Sequence, residues 1–121
     1  MLVLTGATIV ATMTASRPAR AHAFPAAEEP LVGSTISTAP KQVSIKFDAP
    51  IESLFAQLEV VDSSGNQQDS AGPAVDADQY TLSVPVKPLK PGDYTVKWSV
   101  VAQDGHRTEG SYTFTLAGGA Q

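Results

Sequence analysis

Residues 92–101 read GDYTVKWSVV, and the alternation inside them decides the fold. Tyr94, Val96, Trp98 and Val100 fall at every second position, with Asp93, Thr95, Lys97 and Ser99 between them. Successive side chains of a strand point to opposite faces, so this pattern builds a β-strand with one face buried. The approach to it, KPLKPGDY (87–94), holds Pro88, Pro91 and Gly92, the chemistry of a tight bend.

The same period recurs on both sides. SYTFTL (111–116) presents Tyr112, Phe114 and Leu116 to one face, and QVSIKF (42–47) presents Val43, Ile45 and Phe47. QLEVVD (57–62) turns Leu58 and Val60 inward, and SSGN (63–66) after it reads as a hairpin turn. QYTLSV (79–84) places Tyr80, Leu82 and Val84 on its inner face. Trp98, Tyr80, Tyr94, Tyr112 and Phe114 are accordingly expected in the core, and the Trp98 ring is also placed to shield a pocket. No stretch carries a helical period. APIESLFAQ (49–57) offers one short turn, with Pro50 at its start, and PAVDADQ (73–79) reads as a polar connection. About seven short strands are expected in about 100 residues, with no internal repeat. That is the count and spacing of an all-β Greek-key sandwich or small barrel, Ig-like or cupredoxin-like.

The chain has 121 residues, enough for one domain and one core. Hydrophobic residues make up 42% and charged ones 17%, which suits a globular chain rather than a disordered one. The formal charge of −4 argues against nucleic acid, whose phosphates call for a basic surface. There is no cysteine, so disulfides, thiolate metal sites and Cys nucleophiles are excluded. Any metal site falls to His, carboxylates, Met and the chain terminus.

Residues 1–21 are set apart. MLVLTGATIVATMTA is apolar and threonine-rich, and SRPARA then ends in Ala19-Arg20-Ala21, the form of a signal peptide with an A-x-A cleavage site. The apolar run is too short for a stable membrane anchor, which needs about 20 residues. Its basic residues, Arg17 and Arg20, crowd the cleavage point instead of the start. Removal of 1–21 makes His22 the first residue of a mature domain, 22–121. It also leaves six basic against twelve acidic residues, a net charge of −6. The mature protein is expected to be extracytoplasmic, in the periplasm or secreted.

The chain's two histidines then fall in informative places. In QDGHRTEG (103–110), Asp104 and His106 flank Gly105 and are two residues apart, so on an extended strand end they share a face. A carboxylate beside an imidazole suits a divalent transition metal, or an Asp-oriented His acting as a base. The plainer reading is an Asp-Gly hairpin turn with His106 incidentally exposed. His22, at a freed terminus, offers an α-amino nitrogen and a ring nitrogen that chelate one ion together. An α-amino group titrates near 7.7–8.0, so a metal displaces its proton at neutral pH. With Asp104 and His106 the set becomes three nitrogens and one oxygen, and tetragonal N,O coordination favours Cu(II).

At these residues the chain resembles the CopC-type periplasmic copper-binding (copper-resistance) proteins. The resemblance runs from His22 to about Leu116, and is carried by HAF (22–24), EPLVGSTI (29–36), VSIKFDAPIE (43–52), LKPGDYTVKWSVVAQDGH (89–106) and GSYTFTL (110–116). It implies a seven-stranded Greek-key β-sandwich with Cu(II) near the N-terminus, held by His22 through amine and ring, Asp104 and His106. It also implies an inner-membrane copper transporter of CopD type as partner; a monomer is expected. Two departures stand out. Some members carry a methionine-rich Cu(I) loop, whereas the only methionines here, Met1 and Met13, lie in the leader, so one Cu(II) site and no Cu(I) site is expected. Members often show Ser-Glu-Pro after the strand ending here at Phe47, with the acid near copper; here Asp48-Ala49-Pro50 stands there.

Glu28 and Glu29 read as solvated, with attraction of cations toward the terminus as the other reading. Arg107 has two open roles, pairing with Glu109 or touching a partner. Three functions remain to be separated: a non-enzymatic Cu(II) carrier or buffer in copper homeostasis or resistance, a copper-dependent oxidative enzyme with a terminal-histidine site like the polysaccharide monooxygenases, and a metal-free structural or adhesive sandwich.

Overall fold

The structure, a computed structural model, describes residues 22–118 and positions 3, 5–7 and 9–11. The expected cleavage point at Ala19-Arg20-Ala21 lies outside the described residues. Eight strands form: β1 (Pro25–Glu29), β2 (Thr35–Ile36), β3 (Gln42–Phe47), β4 (Gln57–Asp62), β5 (Ala74–Val75), β6 (Thr81–Pro85), β7 (Gly92–Val101) and β8 (Arg107–Leu116). They make two four-stranded sheets, in the orders β1-β3-β6-β5 and β2-β8-β7-β4. The chain changes sheet at every step from β1 to β5 and again between β6 and β7, so neighbours in sequence seldom pair. The fold is an all-β sandwich. Eight strands stand against the about seven expected, and two of the eight, β2 and β5, are only two residues long. Among the described residues no helix is long and apolar enough to cross a membrane.

The period-two reading places the core correctly. Val43, Ile45, Phe47, Leu58, Val60, Leu82, Val84, Tyr94, Val96, Val100, Tyr112, Phe114 and Leu116 are all buried between the sheets. Tyr94 stacks on Phe114 with ring centroids 5.3 Å apart, and its hydroxyl donates to the Lys90 carbonyl four residues upstream. That bond locks the bend before β7 in the manner of a tyrosine corner.

Two core expectations are corrected. Tyr80 is only half-buried and precedes β6. The Asp78 carboxylate accepts the backbone N–H groups of Tyr80 and Thr81, at 2.9 and 3.0 Å, so Tyr80 is used up in the turn and the strand starts one residue later. Trp98 is half-buried at the core's margin, edge-on to Phe47 at 5.3 Å, with its ring lying over Gly110. The segment PAVDADQ, expected as a connection, contains β5. The expected turn at 49–57 is a single 3-10 turn, Ser53–Phe55, which Pro50 precedes rather than opens.

β8 is longer than its apolar pattern. Its pairing with β7 begins at Val101↔Arg107 and runs unbroken to Gly92↔Leu116, so the polar residues Arg107–Gly110 are strand as well. Opposite Trp98 stands Gly110, where an added Cβ would lie 2.8 Å from Cζ2 and 3.0 Å from Cε2 of the indole. The rigid ring, backed by Phe47, has little room to give. Gly110→Ala should therefore lower the unfolding free energy by about 1–3 kcal/mol and shift the Trp98 fluorescence. Urea titration read by that fluorescence checks it; an unchanged midpoint and spectrum would show that the indole yields freely.

Candidate metal centre

The β7–β8 hairpin closes through residues 102–106. Ala102 N–H donates to the His106 carbonyl at 2.9 Å, and Gly105 N–H to the Ala102 carbonyl at 2.9 Å. Gly105 has φ +90°, a conformation costly to any residue with a Cβ. The Asp104 carboxylate folds back onto the next-but-one residue: Oδ1 accepts His106 N–H at 3.0 Å, and Oδ2 lies 2.8 Å from His106 Nδ1. The two side chains thus meet across a tight turn, not on an extended strand end. The bond from His106 N–H, opposed by desolvation and aided by the His106 side chain and the His22 ring, holds the Asp104 carboxyl below the usual carboxylate range.

His22 arrives from the other sheet. Ala23, directly after it, is fully buried, which draws the chain before β1 into the end of the sandwich. Thr108 Oγ1 donates to the Ala23 carbonyl at 2.6 Å. Asp48 Oδ1 accepts Phe24 N–H at 2.8 Å, and Asp48 N–H donates back to the Phe24 carbonyl at 2.9 Å. Asp48 therefore acts two residues from His22, as an anchor of the segment. Held in this way, the His22 ring stacks on the His106 ring with centroids 4.7 Å apart and planes 24° from parallel. On its other neighbour, Phe24, it stacks at 6.2 Å.

All three sequence-predicted residues, 84 positions apart at the extremes, are brought to one place. Two imidazoles and a carboxylate are donors suited to a divalent transition metal, and they share one solvent-reachable corner: the side chains of His106 and Asp104 are 60% and 29% exposed. Among the described residues no group of three such side chains already converges in the arrangement of a metal site. Asp104 is instead engaged with His106 Nδ1, as carboxylates commonly orient a metal-binding imidazole.

Sequence reasoning missed Thr108, and marked Asp48 only as a stand-in for an acid near copper, not as a backbone anchor of this corner. Thr108 and Asp48 act on backbone atoms 85 and 24 positions away, and no local pattern marks such bonds. Arg107 reaches Ser99 Oγ at 3.5 Å. Glu28 is half-buried, not fully solvated, and its charge joins burial in raising the pKa of the Tyr112 hydroxyl.

Residues 26–117 match the sequence profile of the CopC domain. The copper resistance protein C of Xanthomonas campestris pv. juglandis is 32% identical over 121 residues, 94% of each chain. The copper transport protein CutJ of Bacillus subtilis is 32% identical over 98 residues, 79% of this chain but 18% of that protein. Among solved structures, CopC from Methylosinus trichosporium OB3b superposes with a TM-score of 0.76 at 29% identity, covering 83% of this chain and 98% of that one.

The turn itself is testable without metal. Gly105→Ala forces a Cβ into the left-handed region and should lower stability by about 1–2 kcal/mol, whereas Gly105→Asn should lose less. Thermal melting of both variants decides it; equal losses would mean that the positive φ is not what the turn depends on.

Proposed function

This chain belongs to the CopC family, and from that premise we propose that it is an extracytoplasmic carrier or buffer for one Cu(II) ion. The ligands on this reading are His22, through its freed α-amine and ring, Asp104 and His106. The observation that carries it is the 4.7 Å stacking of the His22 and His106 rings beside the Asp104 carboxylate. Cleavage after Ala21 turns the His22 peptide nitrogen into an amine, and the mature domain, 22–121, is then complete for binding.

Cargo, not cofactor, is the role of the ion here. Three nitrogens and one oxygen fill the tetragonal positions that Cu(II) prefers, leaving little open coordination for oxidative chemistry, so the protein is read as no enzyme. The mature domain contains no methionine, which leaves a soft Cu(I) site without ligands. The match to part of a copper transport protein supports a membrane copper transporter of CopD type as recipient or donor, met by a monomer in the periplasm. A role in copper homeostasis or resistance follows from holding the ion away from other ligands.

Cu(II) titration followed by electron paramagnetic resonance tests the site on two forms, one starting at His22 and one keeping the preceding residues. Tight single-site binding with a nitrogen-rich spectrum is expected only in the first. Equal binding in both would move the site to internal ligands, and peroxide-driven oxidation of a polysaccharide by the loaded protein would revive an oxidative role.

The pH dependence has a definite sign. Binding requires an unprotonated amine and two neutral imidazoles, while Asp104, held low, is already ionised and takes up no proton in the neutral range. Affinity should therefore fall on acidification, log Kd rising as pH drops with a slope against pH approaching −3 below about pH 6. Chelator competition across pH 5–8 measures it, and a flat profile would remove histidine and amine ligation.

A further inference from the structure

Resting on the copper-site reading above, we propose that Thr108 is a positioning residue for the copper-binding terminus. Its hydroxyl fixes the backbone from which His22 projects, and so sets where the terminal amine and ring stand relative to His106.

Ala23 is fully buried, so its carbonyl has no access to bulk water, and the Thr108 hydroxyl supplies its hydrogen bond at 2.6 Å. Thr108 lies opposite Val100 in the β7–β8 pairing and shares the inward-facing positions of β8 with Tyr112, Phe114 and Leu116. It stands two residues beyond His106 on the same chain segment. One end of one strand thus holds the second histidine directly and the first at one remove. The distance between the two imidazoles is consequently referred to a single rigid element instead of to two sheets packed against each other.

The Asp48 tether cannot replace it. Asp48 follows β3, in the opposite sheet, and binds the backbone of Phe24 rather than Ala23. Without Thr108, Ala23 and His22 are held from one sheet only, and the peptide between Ala23 and His22 regains freedom to turn. A chelate built from amine and ring at that residue must then be ordered on binding, and ordering a flexible segment weakens affinity. The same device makes the site sensitive to chain processing: the bond locates residue 23, so the residue immediately before it, and no other, is delivered to His106.

The experiment compares Thr108→Val, which keeps the shape and deletes the donor, with Thr108→Ser, which keeps the donor. A third variant, Val60→Ala, lowers core stability away from the site. On the processed protein starting at His22, Thr108→Val should raise the Cu(II) Kd by about tenfold and broaden the resonance spectrum into more than one species. Thr108→Ser should restore both, and Val60→Ala should change neither despite a lower Tm. On the copper-free protein, the proton–proton contact between the His22 and His106 rings seen by NMR should vanish in Thr108→Val and persist in Thr108→Ser. A copper-binding parent whose Thr108→Val variant keeps its Kd, spectrum and ring contact would overturn the positioning role and leave the copper site standing. A parent that binds no copper, yet loses the ring contact on Thr108→Val, would support the positioning of His22 and overturn the copper reading alone.

Discussion

The end of this molecule that carries His22, Asp104 and His106 depends on the ten-residue antiparallel pairing of β7 with β8. Ten consecutive residue pairs hold the two strands in one register, and β4 supports β7 from its other side. Inward positions along this ribbon are filled by Tyr94, Val96, Val100, Tyr112, Phe114 and Leu116, so a slip by one residue would turn that whole set to solvent. The register leaves room for one compact turn, and Gly105 adopts the positive φ that closes it. Asp104 and His106 are thereby held on a turn whose position is dictated by the core, not by the turn's own weak preferences.

The segment before β1 is the second half of the arrangement, and it is built as part of the fold. A chain terminus normally frays, because few contacts offset its conformational entropy. Here Ala23 is buried to the same degree as the central valines, and hydrogen bonds reach Ala23 and Phe24 from opposite sheets. Those bonds are long in sequence and short in space. They hold residue 22 in place, as the proposed chelate by His22 requires. Asp48 is part of the same arrangement: its carboxylate serves the backbone of the segment before β1.

Charge and exposure complete the picture. Residues 22–121 are acidic overall, while the corner itself pairs one carboxylate with two imidazoles and stays reachable from solvent. Exchange of an ion with another protein proceeds by ligand substitution, which demands such access. A buried site would hold copper more firmly but hand it on more slowly.

Much of this was legible in the residues alone, where a long alternating pattern met a burial requirement. β3, β4, β7 and the apolar half of β8 declare themselves through period two, because a sandwich strand must put one face in oil and the other in water. β1, with the sequence PAAEE, shows no such alternation; it is an edge strand whose place comes from pairing with β3. β2 and β5 are two residues long, too short for any period, and Arg107–Gly110 is polar strand that only the partner β7 reveals. The candidate donors His22, Asp104 and His106 could also be named from the residues, as the only two histidines and a neighbouring acid. What only the tertiary structure decided is that they meet. The stacking of His22 on His106, the use of Asp104 as the partner of His106 Nδ1, and the anchoring by Thr108 and Asp48 all join residues that sequence distance hides. Local sequence sets which face of a strand is apolar; how two sheets pack, and which backbone atoms they leave to be satisfied at their ends, is settled only when the whole core closes.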